Sequence, residues 1–211
     1  GYEIILYFAG RFLFLRPANK GKEEPMVQLT ENLNRAIQVA AWAHDQQGQY
    51  RKGTEIPYIV HPLGVMILAG EVTDNEDTLV AAIFHDVLED VDPEIYSQEQ
   101  MLAGFGARVV RIVSDLTKDE SVEGWRERNL AYLDHLEHDA CDESLIVCAA
   151  DKNYNLGATL TDLRAIGPAI WQRFTTKSVE DQLWYYGEVH AMLDRRLPDM
   201  ALTQRLGGLL L

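Results

Sequence analysis

Cysteine is scarce in this chain: Cys141 and Cys148 are the only two in 211 residues, seven positions apart. That number and spacing fit neither a disulfide framework nor a zinc knuckle, so both are expected as reduced thiols in or near a core. Positive charge is also short, with 19 Lys and Arg against 33 Asp and Glu and a net charge of −14. A surface of that sign repels nucleic acid and anionic membranes, which excludes both as partners. A phosphorylated substrate must then be drawn in by a local basic patch or a metal. The apolar amino terminus, 2–15, is interrupted by Glu3 and Arg11 and falls short of the roughly 20 residues that span a bilayer. It has neither the basic start nor the cleavage site of a secretory signal, so a cytoplasmic protein is expected. Strand-like alternation of convincing length, internal repeats and low-complexity segments are missing as well.

What remains is helical, and it starts at Met26. Residues 1–25 read as an extension outside the domain; the alternative is a short strand or hairpin that covers an apolar groove or a partner subunit. Residues 26–211 are long enough for one domain with its own core. Thr30 can cap a helix to about residue 46. Gly48, Gly53 and Pro57 make 48–58 a loop, and Pro62 suits the first turn of a helix to about 72. Further helices are expected over 77–89, 97–103, 107–117, 123–137, 143–156 and 178–195, with Gly104-Phe105-Gly106 dividing the third from the second. The fold class is therefore all-α, a single-domain helical bundle.

The chemistry concentrates in LVAAIFHDVLED, 79–90. Val80, Ile83, Phe84, Val87 and Leu88 trace one buried helical face, while His85, Asp86, Glu89 and Asp90 fall three or four apart beside it. Three carboxylates next to a buried stripe cost several kcal/mol each unless something positive compensates, on the order of the penalty for any buried ion. A divalent metal is one such answer, since histidine and aspartate are ordinary ligands of first-row ions. The remaining ligand candidates are His44, His61 and a distant carboxylate. His61 stands at a loop-to-helix junction just before Pro62, and Asp151 follows the apolar run Leu145-Ile146-Val147 and Ala149-Ala150. A plain structural role for Asp151 would need a pair with Lys152 or a helix cap.

The order His61, His85-Asp86, Asp151 resembles the H…HD…D pattern of the HD metal-dependent phosphohydrolase superfamily. AHDQQGQYRKGTEIPYIVHPLGV at 43–65, AAIFHDVLEDV at 81–91, FGARVVRIVSDLTKD at 105–119 and AADKNYNL at 149–156 are similar to the hydrolase domain of the Rel/Spo stringent-response family. They match its small stand-alone alarmone hydrolases, including the metazoan branch. The likeness covers about 29–163, and the rest is expected to carry neither the synthetase nor the regulatory domains of the long members.

The resemblance implies an HD-type bundle in which His61, His85, Asp86 and Asp151 hold one Mn²⁺. Glu89 and Asp90 would position the attacking water and take its proton. It implies Arg51 stacked on the base, with Lys52 and Asn155 supporting the nucleotide, and gives His44 a part in packing rather than ligation. Tyr154 agrees with the metazoan branch, and Lys152 stands where arginine is common. Trp184, Tyr185 and Tyr186 are expected in the core or pocket wall. The implied reaction removes the 3′-pyrophosphate of guanosine tetra- or pentaphosphate. The same chemistry on another nucleotide such as NADPH, or a catalytically weak alarmone-sensing or partner-binding module, are the alternatives. The expected partner is a small nucleotide, with homo-oligomerisation left open.

Overall fold

The computed structural model describes residues 4–8, 11–15, 27–174, 176 and 178–211. From residue 27 onward it is helical. In chain order the elements are β1 (Ile4–Phe8), β2 (Arg11–Leu15), α1 (Glu31–Gln46), α2 (Val60–Ala69), α3 (Glu76–Phe84), α4 (Val87–Asp90) and α5 (Gln98–Leu116). They are followed by α6 (Trp125–His138), α7 (Asp142–Ile166), a 3-10 helix (Gly167–Arg173), α8 (Val179–Arg196) and α9 (Ala201–Leu209). The all-α class holds for the bundle. In the amino-terminal extension, where a short strand or hairpin was the alternative expectation, β1 and β2 form an antiparallel hairpin with Ile4 opposite Leu15 and Phe8 opposite Arg11. The boundary expected between 25 and 26 lies outside the described residues.

α3 is the centre of the core. Every residue from Thr78 to Phe84 is buried, the pattern of a helix apolar on all sides and enclosed by others. It packs against α1, α2, α5 and α7. Its start is set by Asn75, whose side chain accepts the Thr78 N–H at 3.0 Å. The expected helix over 77–89 is corrected: it ends at Phe84, His85 and Asp86 form a turn, and α4 adds one turn beyond. The His85 ring supplies a reason, because its Nδ1 donates to the Ala82 carbonyl at 2.8 Å and competes for the backbone acceptors of the last turn.

Two other expectations change. The break at Gly104-Phe105-Gly106 is a kink within α5, carried by Gly106 at φ 87°. The helix expected over 143–156 runs on to Ile166, so α7 has 25 residues. α7 packs against α2, α3, α5, α8, α9 and the 3-10 helix. Buried Asp115 of α5 secures its start, accepting from Ser144 Oγ at 2.8 Å and from the Cys141 N–H at 3.4 Å. Cys141 and Cys148 are free, as expected.

α2 and α7 meet at Gly64. A Cβ there would lie 2.0 Å from Tyr154 Cε2, so the ring occupies the space a side chain would need. Tyr154 in turn packs against His61, ring centroids 5.0 Å apart. Gly64→Ala should therefore cost about 1–3 kcal/mol, the usual range for overpacking, read as a lower urea midpoint. An unchanged midpoint would mean that Tyr154 is not held there.

Candidate metal centre and adjoining cavity

Core packing brings four side chains from three segments to one point. His61 comes from the first turn of α2, His85 and Asp86 from the break after α3, and Asp151 from the middle of α7. His61 Nε2 lies 3.1 Å from His85 Nε2, 3.3 Å from Asp86 Oδ2 and 3.2 Å from Asp151 Oδ1. His85 Nε2 lies 3.0 Å from Asp86 Oδ2 and 3.8 Å from Asp151 Oδ1. His61, His85 and Asp86 offer ligand atoms all within 4.8 Å of one another. Asp151 stands outside that group of three, with its Oδ1 beside both histidines.

The donor set suits a divalent ion. Nδ1 of His85 is committed as a donor to Ala82, which leaves Nε2 as the ligand atom. Separations near 3 Å match the edge of an octahedron with bonds of about 2.1 Å. The electrostatics also call for positive charge. Burial works against a charged His85, but Asp86 and Asp151 outweigh it and raise its pKa to about 10. Burial likewise resists ionisation of Asp86 and Asp151, yet both lie well below the usual carboxylate range. His85 is the main opposing charge for Asp86, and Lys152 for Asp151. A bound cation would take over the place of the His85 proton.

Supporting contacts fix each group. Tyr58 Oη donates to Asp86 Oδ2 at 2.6 Å. Lys152 Nζ donates to Asp151 Oδ2 at 2.5 Å, so the pair that a structural role would need is present while Oδ1 faces the histidines. Asn155 Nδ2 donates to Asp151 Oδ1 at 2.5 Å, and Asn155 Oδ1 accepts from Arg51 Nη2 at 3.1 Å. Arg51 lies near the rings of Tyr58 and Tyr154, at 5.9 and 5.6 Å. His44 is buried and donates through Nδ1 to Gln49 Oε1 at 2.5 Å, while Gln49 Nε2 donates to the Asp90 carbonyl at 2.7 Å. Its packing role thus extends to holding α4.

The centre opens into a cavity of 610 Å³, within the usual size of a small-molecule site. Arg51, Lys52, Glu89, Asp90 and Asn155 all line it. Glu89 is exposed and its carboxylate accepts the Lys118 N–H at 3.3 Å. Tyr185 and Tyr186 form part of the wall and Trp184 packs beside Trp125 against the core, as expected. Tyr58, Lys118 and Arg173 also line the cavity, and sequence reasoning missed all three. Tyr58, three residues before His61, carried the only local signal; the others arrive by tertiary packing.

Residues 36–166 match the family model described as HD domain. This chain belongs to the HD-domain family. Guanosine-3′,5′-bis(diphosphate) 3′-pyrophosphohydrolase MESH1 of Danio rerio is 37% identical over 145 residues, covering 67% of this chain and 74% of that protein. The enzyme of the same name in Drosophila melanogaster is 34% identical over 155 residues, covering 72% and 78%. A similarly named Aquifex aeolicus enzyme is 33% identical over 111 residues, 49% of this chain but only 15% of that one. A solved structure, described as a metazoan ortholog of SpoT that hydrolyzes ppGpp and plays a role in starvation responses, superposes with a TM-score of 0.68. It is 25% identical, over 87% of this chain and 96% of that one. The expectation of an HD-type hydrolase is met at the level of family. No helix among the described residues is long and apolar enough to cross a membrane.

Asp90 allows a test of this geometry. Burial, then Asp86 and Glu89, push its pKa up from 3.8 to about 6. A raised folded-state pKa favours the protonated form, so the stability it lends is present below the ordinary value and lost as pH rises through about 6. In chelator, Asp90→Asn should therefore melt higher than the wild type at pH 8 and show no such gain at pH 4. A gain that is independent of pH would refute the assignment.

Proposed function

We propose that the protein is a manganese-dependent nucleotide pyrophosphohydrolase. It would remove the 3′-pyrophosphate of guanosine tetra- or pentaphosphate to give GDP or GTP and pyrophosphate. The observation that carries this reading is the convergence of His61, His85, Asp86 and Asp151 at the inner wall of a cavity whose mouth holds Arg51 and Lys52. The names of the relatives support the choice of substrate.

His61, His85, Asp86 and Asp151 would hold the ion; when bound, a divalent metal lowers the pKa of water and offsets charge on the phosphoryl group. A mixed set of two imidazoles and two carboxylates accepts manganese among other first-row ions. Glu89 and Asp90 orient the attacking water and take its proton, with the pKa of Asp90 near 6 suiting transfer close to neutrality. Water oxygen joins phosphorus, the bond from phosphorus to the ribose O3′ breaks, and O3′ takes up a proton. Arg51 stacks its planar guanidinium on the purine, Lys52 supports the phosphates, and Asn155 couples Arg51 to Asp151 beside the sugar. Free Cys141 and Cys148 support a reducing, cytoplasmic setting.

Purified protein incubated with ppGpp, separately in Mn²⁺, Mg²⁺, Zn²⁺ and chelator, should release GDP and pyrophosphate fastest in Mn²⁺ and none in chelator. Asp86→Ala should abolish turnover, and Glu89→Gln should lower kcat by about 10²–10⁴, the scale of general acid–base catalysis. Phosphate released from NADPH in place of ppGpp turnover would reassign the substrate. No turnover by metal-loaded protein would sink the enzymatic reading.

A further inference from the structure

The cavity extends well past the four-residue centre, and its outer end presents a guanidinium paired to a single carboxylate. α7 lays Asp151, Asn155, Thr159 and Asp162 along one wall, spacings of four, four and three that keep a single helix face toward the cavity. The eleven steps from Asp151 to Asp162 cover about 16 Å of helix axis, so one diphosphate cannot engage both ends. At the outer end the 3-10 helix delivers Arg173, whose Nη1 donates to Asp162 at 2.8 Å. Opposite stands Gly53 of the loop that carries Arg51 and Lys52, with φ 72°; a Cβ there would lie 2.8 Å from Arg173 Nε. The guanidinium can lie against that loop because residue 53 has no side chain. Arg173 thus joins Arg51 and Lys52 of the adjoining loop in the cavity lining, in a chain of net charge −14.

Stability does not account for this arrangement. The Arg173–Asp162 side chains are 27% and 47% exposed, and ion pairs so open to water contribute little. Arg51 is bonded to Asn155, whereas Arg173 has no hydrogen bond other than that to Asp162 among the described residues. A planar guanidinium with spare donors is a phosphate-binding group.

We propose that Arg173, with Lys52, binds a second phosphate cluster of the substrate, at the end of the nucleotide remote from the bond that is cleaved. The proposal rests on the phosphohydrolase reading and adds a residue to it: Arg173, outside the 36–166 match, would set how tightly the 5′ end of the substrate is held. Arg173 stands away from the reacting phosphorus, so its contribution enters KM rather than kcat.

Steady-state kinetics of Arg173→Met and Arg173→Lys, with thermal melts to confirm folding, decide the matter on two substrates: guanosine 3′,5′-bis(diphosphate) and guanosine 3′-diphosphate bearing a free 5′-hydroxyl. Arg173→Met should raise KM for the first by about tenfold, the worth of one charge-assisted contact, with kcat within twofold. It should leave KM for the second unchanged. Arg173→Lys should fall between, keeping the charge without the fork. An equal rise on both substrates, or none on either, overturns the proposal. Equilibrium dialysis of GDP against guanosine separates it from the reading beneath it. If the wild type turns over neither substrate, the phosphohydrolase reading fails, yet GDP preference lost in Arg173→Met still supports the anion site. GDP bound no better than guanosine by the wild type refutes that site.

Discussion

The bundle is organised around a charge balance: Asp86 and Asp151 converge on two buried imidazoles at the inner wall of the cavity. A carboxylate buried without compensation costs several kcal/mol, roughly the whole margin of a typical domain. The balance here is distributed. Lys152 takes one oxygen of Asp151, Tyr58 donates to Asp86, and His61 and His85 fill the space between the two. The arrangement holds only while α2, the end of α3 and the middle of α7 are pressed together. The apolar girth of α3 and the fit of Tyr154 over Gly64 provide that pressure.

Two polar relays extend from the centre. One runs from His44 through Gln49 to the carbonyl of Asp90 and fixes the single turn that carries Glu89 and Asp90. The other runs from Asp151 through Asn155 to Arg51 and couples the inner wall to the mouth. Both tie loop residues to helices, which is how a mobile connection can present side chains with the precision that chemistry needs. Asn155 is engaged at both ends of its amide, so its first effect is on where Arg51 stands.

Much of this was legible in the residues. The cap at Thr30 and the loop punctuated by Gly48 and Gly53 follow local rules that tertiary structure did not override, whereas the break expected at Gly104-Phe105-Gly106 became a kink inside one helix. The HD words placed His61, His85, Asp86 and Asp151 in one set, and the fold brings them together. The turn at His85-Asp86 was hidden because an apolar 3.6-residue pattern runs through it unbroken; only the bond from His85 to Ala82 marks the interruption. α7 was read ten residues short because Gly157 and the threonines after it have low helix propensity, whereas packing against α2, α9 and the 3-10 helix carries the helix through. α9 was missed for a like reason: Gly207 and Gly208 mask the i, i+4 pair Leu202 and Leu206, both buried. The reach of Arg173 to Gly53 spans 120 positions of sequence and leaves no local trace.

The uninterrupted length of α7 has a mechanical meaning. Asp151 and Asp162 belong to one hydrogen-bonded rod, so the distance between the inner and outer ends of the cavity is set by helical rise and not by how the surrounding loops settle. Loops at the mouth can breathe on the nanosecond scale without altering that distance. The helix acts as a ruler: the separation of the two carboxylates along the cavity wall is written into the number of residues between them.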